Sequence, residues 1–159
     1  MIKINNFFDN SNVKCIAEGG VFSIYEHQHD LSVDSNTAMN SYFMEQMNVK
    51  KRQVLCKLDN STVKLQAGAM QWITGDVEMD SGVSGAKDFF GKLVKGAVTG
   101  ESAVKPLYTG TGCVMLEPTY NFLLIEDVAS WGKGIVLDDG LFLACELSLI
   151  HISEPTRRS

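Results

Sequence analysis

The chain has 159 residues, with 45% hydrophobic and 21% charged side chains and 3 prolines, which excludes a disordered, collagen-like or disulfide-scaffold protein and fits one domain. Lys plus Arg is 14 and Asp plus Glu is 19, a net charge of −5. Binding to nucleic acid is therefore not expected, because phosphate contacts need clustered cations.

Taken in chain order, the first segment, MIKINNFFDN, holds no apolar run of a secretory signal, and no stretch of about 18 apolar residues follows it. A cytoplasmic location is the expectation. His27 and His29 stand two apart and share one strand face, with Glu26 and Asp30 beside them, a spacing that suits a metal ion. A solvent-facing strand edge running into a turn at Asp30 explains the pair as well and is preferred, so no metal and no cofactor is assigned. From Ser35 to Asn48, Met39, Tyr42, Phe43, Met44 and Met47 fall at helical spacing, predicting a helix over about 36–48 capped by Asn36 or Thr37. Lys50, Lys51 and Arg52 follow near its carbonyl end, where cations are favoured, and with Lys57 make the one basic patch.

Short strands dominate the remainder. Val54, Cys56 and Leu58 recur at every second position, as do Val63, Leu65 and Ala67, and Asp59-Asn60-Ser61 between them reads as a hairpin turn. Asp76, Glu78 and Asp80 would share one strand face, solvated more readily than metal-bound. Between Gly85 and Gly100 lies a second amphipathic helix, about 86–97, with Phe89, Phe90, Leu93, Val94 and Ala97 on one side. Its stripe suits self-burial, a subunit contact or a membrane surface. Cys113–Leu116 and Phe122–Ile125 are unbroken apolar runs that predict strands buried on both faces, with Gly110-Thr111-Gly112 as a turn. Ile135–Leu137 and Leu141–Cys145 predict a last hairpin around Asp138-Asp139-Gly140. Strands this short, this regularly spaced, give an all-β class, a β-sandwich or jelly-roll-like fold, and each half pairs strands with one amphipathic helix, as in two similar sub-domains.

Nucleophilic and phosphate-binding motifs are weak. Ser102 has no GxSxG elbow, Gly82-Val83-Ser84-Gly85 lacks the Gly-Lys-Ser/Thr ending of a P-loop, and Cys145 has no histidine nearby in sequence. The four cysteines, Cys15, Cys56, Cys113 and Cys145, lie far apart among apolar neighbours and read as reduced core thiols. Trp72 and Trp131 read as core anchors or subunit contacts.

Residues Leu147–Arg157 read LSLIHISEPTR, which resembles the in-frame translation of a transposase adapter used for sequencing libraries. Residues 147–159 are accordingly set aside as artefactual, which leaves 1–146 as one domain cut short at its C-terminal end. His151 goes with that tail, so no third histidine remains for a three-histidine metal site. Without Arg157, Arg158 and Glu154 the basic count falls from 14 to 12 and the acidic count from 19 to 18, a net of −6.

The stretch Leu65-Gln66-Ala67-Gly68-Ala69-Met70 followed by Gly75-Asp76-Val77, then Thr99-Gly100-Glu101-Ser102, Tyr108-Thr109-Gly110-Thr111-Gly112, Leu116-Glu117-Pro118, Asp139-Gly140 and Ala144-Cys145-Glu146 together carry a resemblance. They resemble the altered-inheritance-of-mitochondria protein twenty-four family, grouped with folds like the tryptophan RNA-binding attenuator protein. The resemblance covers about 1–146. It implies an all-β fold of two similar sub-domains and homo-oligomers, often trimers, and it implies no reaction. Gly68, Gly75, Gly100, Gly110, Gly112 and Pro118 fit these motifs as shape-determining residues. The resulting expectation is a non-enzymatic oligomeric scaffold or binding module, with a peripheral membrane-surface protein using 85–98 as the alternative. A small-ligand or metal-binding enzyme built on His27 and His29 is a further alternative.

Overall fold

The computed structural model describes residues 4–80, 105–132, 135–137 and 140–147. It is all-β: among the described residues six strands form one antiparallel sheet, accompanied by one α-helix. The strands are β1 (Val13–Gly19), β2 (Phe22–His27), β3 (Arg52–Leu65), β4 (Met70–Asp80), β5 (Leu107–Leu116) and β6 (Ala144–Glu146), and α1 is Ala38–Gln46. The sheet order is β1-β2-β3-β5-β4, and β6 also pairs with β3. The second helix, 86–97, lies outside the described residues.

The long strand β3 organises the sheet. Its expected hairpin turn is instead a bulge. Leu58 pairs with Gly112 and Ser61 with Gly110, so three steps along β3 match two along β5. The extra residue is accommodated by Asn60 in the left-handed region (φ 45°), whose N–H donates to Thr111 Oγ1 at 3.0 Å. One inserted residue reverses which side chains face which way. The core positions are even before the bulge (Val54, Cys56, Leu58) and odd after it (Val63, Leu65), and all lie in one cluster. β5 then pairs with both halves of β3, which is why the chain continues straight instead of turning back.

Glycines 110 and 112 form no turn. Gly110 pairs with Val77 and Gly112 with Gly75 in the middle of the β4–β5 ladder. A Cβ on Gly110 (φ +141°) would lie 2.0 Å from the Asp76 carbonyl oxygen, and one on Gly112 2.2 Å from that of Thr74. Both obstacles are backbone, so the sheet accepts no side chain there.

The main core covers one face: Ile24, Val54, Cys56, Leu58, Val63, Leu65, Tyr108, Val114 and Leu116, closed over by Leu123, Ile125 and Leu143 among others. Phe122–Ile125 is therefore not a strand buried on both sides. Phe122 and Leu124 are 74% and 71% exposed while Leu123 and Ile125 pack inward. In Cys113–Leu116 the expected double burial is present, because Val114 and Leu116 join this core and Met115 packs with Tyr25 and Leu55 on the opposite face. The last expected hairpin is also different. Ile135–Leu137 is not a strand, and Ala144–Glu146 pairs with Val63–Leu65. This places β6 end to end with β2 along β3, where the Glu146 carboxylate accepts the Val21 N–H at 2.7 Å in the β1–β2 turn.

Helix α1 starts two residues later than the expected 36, with Thr37, one of the two expected caps, at the N-cap position. Asp34 supplies the capping oxygen, accepting the N–H groups of Asn36 and Thr37 at 2.9 Å each, while Thr37 makes no side-chain cap. No residue of α1 is buried.

Candidate functional site

The site lies where β2 ends, β3 begins, β4 begins and β5 ends. Tyr25, Leu55 and Met115 form a small cluster on the face opposite the main core, against which Phe7, Val13 and Trp72 are packed. Two residues from Tyr25 and Leu55, and so on the same face, stand His27 and Gln53. A groove of about 470 Å³ opens here, lined by apolar residues including Phe7, Val13, Trp72, Met115 and Pro118 and by polar residues including Asn6, His27, Asp30, Lys51, Gln53 and Gln71.

The polar lining is internally organised. Gln53, a buried amide, donates from Nε2 to Gln71 Oε1 (3.1 Å) and to the Leu116 carbonyl (3.2 Å). With both amide protons used, its Oε1 accepts from His27 Nε2 at 2.8 Å. Neutral His27 is thereby held as the Nε2–H tautomer, and Nδ1 is left as an acceptor. Gln71 in turn reaches Glu117 through a long contact of 3.5 Å.

Beside this relay, Asp30 ties its own turn to two distant segments, at Lys51 and Tyr120. Its Oδ1 accepts from Lys51 Nζ (2.8 Å), Ser32 N–H (3.0 Å) and Ser32 Oγ (2.6 Å), and its Oδ2 accepts from the Tyr120 hydroxyl. Burial alone would raise the Asp30 pKa, but the donors from Lys51, Ser32 and Tyr120 outweigh it and hold the carboxyl well below its ordinary range. The same bond to Asp30 pushes the Tyr120 hydroxyl up to about 12. Both groups are locked in one charge state at neutral pH, so they position and do not exchange protons. Between this cluster and Ser41, Met44 and Glu45 of α1 is a cavity of about 10 Å³, room for one water.

His29 turns away from His27: its Nδ1 meets Glu45 Oε2 at 3.0 Å, while Glu45 Oε1 accepts the Asp30 N–H at 3.2 Å. The two histidines thus serve different partners. Among the described residues no group of three or more His, Cys, Asp or Glu side chains is arranged to hold a metal ion. Asp76 and Glu78 are exposed on β4. The expected basic patch is spent internally: Arg52 is buried on Glu26 (2.8 Å), Lys50 approaches Glu26 at 3.8 Å, and Lys51 is on Asp30. Lys57 lies 3.9 Å from Glu18.

All four thiols are free. Cys56 is fully buried and burial lifts it to about 12; burial is also the main cause of the upward shifts of Cys113 and Cys145. Cys15 departs from the core reading: it is exposed on the outer strand β1. Gly68 (φ +77°) occupies the β3–β4 turn, Gly75 lies within β4, and Pro118 follows the end of β5 on the groove rim. Phe89, Phe90, Leu93, Val94, Ala97 and Gly100 lie outside the described residues. Trp72 enters the groove, whereas Trp131 is 51% exposed in a short 3-10 turn. Sequence reading passed over Gln53, Gln71 and Tyr120. The one available signal was polar Gln53 and Arg52 at the head of an otherwise apolar strand.

No curated protein and no solved structure matches the chain. A family model described as mitochondrial biogenesis AIM24 matches residues 44–156, from the end of α1 through β6 and into the segment beyond Glu146. That match takes in well over half of the chain, including β3, β4 and β5 and the glycine pairs that join them, and the chain belongs to the mitochondrial biogenesis AIM24 family.

Proposed function

We propose that the protein is a non-enzymatic homo-oligomeric scaffold or binding module, a trimer as the family resemblance implies. The observation that carries this reading is the outer side of α1 and the loop before it. Leu31, Met39, Tyr42, Phe43 and Met47 are 77%, 71%, 58%, 60% and 77% exposed. Each large side chain left in water forgoes roughly 1.5–3 kcal/mol of burial, and a cluster of this kind marks an interaction surface. The one charged residue of α1, Glu45, is turned to His29 and Asp30, and Asp34 in the loop before it is engaged in capping the helix, which limits like-charge repulsion against a second copy of an otherwise acidic chain. The non-enzymatic part is supported by the locked states of Asp30 and Tyr120 and by thiols shifted away from the thiolate.

Sedimentation velocity tests the reading. The wild-type chain is expected to assemble, and Met39→Glu with Phe43→Glu to give a folded monomer, since neither side chain supports the core. A wild-type chain that stays monomeric at about 100 μM, well above the dissociation constants of stable oligomers, overturns it.

A further inference from the structure

We propose that the groove beside Trp72 is a binding site for a neutral saccharide. The inference rests on the binding-module reading above and names the ligand class. The volume, about 470 Å³, lies within the range of small-ligand sites. Its lining combines apolar and polar groups, as an amphipathic sugar ring requires. Trp72, Phe7 and Met115 supply apolar and aromatic surface for the C–H face of a ring. The polar residues supply both kinds of hydrogen-bonding group: His27 Nδ1 as acceptor, with Gln71 Nε2, held by no more than its 3.5 Å contact to Glu117, as donor. Hydroxyl groups, which donate and accept, match such a mixed set.

Charge argues for neutrality. Asp30 and Lys51 cancel at 2.8 Å, and Glu117 stands beside Gln71, so an anion meets repulsion and a cation at Asp30 competes with Lys51. Geometry argues against an extended peptide. The groove opens on the face of the sheet between strands already paired to one another, where no backbone ladder is free to take another strand. The amides are also preorganised: Gln53 is saturated, so Gln71 and His27 are held in position before a ligand arrives.

The test is tryptophan emission of the full chain titrated with maltose, cellobiose and lactose, the Trp131→Phe variant leaving Trp72 as the reporter. A saturable change for at least one sugar, with a dissociation constant on the order of 0.1–10 mM, supports the site. The binding, followed by calorimetry, should vanish in Trp72→Ala, persist at reduced affinity in Trp72→Phe and weaken about tenfold in Gln71→Ala, the loss of one hydrogen bond. Should Trp72→Ala fail to fold, the Phe and Gln71 variants carry the test. No saturable response to any of the three sugars by folded protein overturns the saccharide assignment, as does a response that Trp72→Phe and Gln71→Ala leave unchanged. A response to glucuronic acid or to a peptide in place of the neutral sugars overturns the assignment while leaving the binding module standing. Oligomer state is read separately by sedimentation.

Discussion

On one face of the sheet, Val54, Cys56, Leu58, Val63, Leu65, Val114 and Leu116 are buried, and irregular segments around Leu123–Ile125 and Leu143 close over them. On the other, the buried apolar residues are Tyr25, Leu55 and Met115, joined by the buried amide of Gln53, and beyond these lies an open groove edged with amides. The strands and their ladders are shared, so the difference comes from what covers each face. The covered face is apolar except at its end, where Arg52 is buried on Glu26, and gains from every methylene it removes from water. The other face exchanges part of that gain for hydrogen-bonded groups held at fixed positions. Stability and recognition are thus divided between the faces of a single sheet, and substitutions on each should behave differently.

The largest effect is expected on the covered face. Leu116→Ala empties a fully buried position and should cost about 2–5 kcal/mol. Trp72→Ala, a larger truncation on the open face, should cost about 1 kcal/mol because its site is half solvated already. Urea unfolding of both variants measures the contrast. Equal losses would mean that the two faces are energetically alike.

A somewhat smaller effect is expected at Gly110. Alanine there faces the Asp76 carbonyl at 2.0 Å and a φ of +141°, and strain of this kind costs roughly 1–3 kcal/mol before any movement of β4. Gly68→Ala, at φ +77° but with no atom within 4 Å, isolates the backbone component alone. Thermal melts of the two variants should therefore differ, with Gly110→Ala the less stable. A reversed order would break the close-approach account of the β4–β5 ladder.

The covered face was largely legible in the sequence. Alternation marked both halves of β3, and the unbroken run Cys113–Leu116 marked a strand buried on two sides. What misled was Asp59-Asn60-Ser61, whose composition suits a turn and a bulge alike. The change from even to odd core positions across it distinguishes the two, since a bulge must reverse parity whereas a hairpin need not. Gly110 and Gly112 posed the same problem: glycine marks a turn or a close approach, and only the partner strand decides. The open face was hardly legible. Asp30, Lys51 and Tyr120 are brought together from widely separated positions by the excursion through α1 and the return after β5. No local pattern records such a meeting. Gln53 looks like an ordinary polar residue until Gln71 and His27 are placed on either side of it.

A third prediction sharpens the open face. With a depressed pKa, Asp30 contributes stability that is present above the ordinary carboxylate value of 3.8 and is lost as pH falls through its folded value. Asp30→Asn should cost about 1 kcal/mol at pH 7, the net worth of its charged hydrogen bonds after allowing for partial exposure. The gap between wild type and variant should narrow as pH is lowered beneath 3.8. Denaturation curves at neutral and acid pH test this, and a gap that widens on acidification would contradict the proposed ionised state.

The smallest effect belongs to the thiol at the sheet's margin, Cys15, which contrasts with Cys56 at its centre. Cys15 is exposed on β1, with its pKa raised mainly by partial burial and then by Glu18. Cys56 is 0% exposed in the main core and is lifted to about 12. A thiol-reactive disulfide reagent attacks the thiolate, so reactivity requires both access and ionisation. In native protein near pH 8 Cys15 should label slowly, and its rate should rise with pH toward about tenfold per unit. Cys56 should label only as the sheet unfolds, at a rate that follows denaturant and not pH alone. Cys15→Ser should leave stability within about 0.5 kcal/mol, while Cys56→Ser, which puts a hydroxyl among Val54, Leu58 and Val114, should cost about 1–3 kcal/mol. If Cys56 labelled as fast as Cys15 under native conditions, the covered face would be open to solvent on the reaction timescale, and the contrast between the faces would fail at its strongest point.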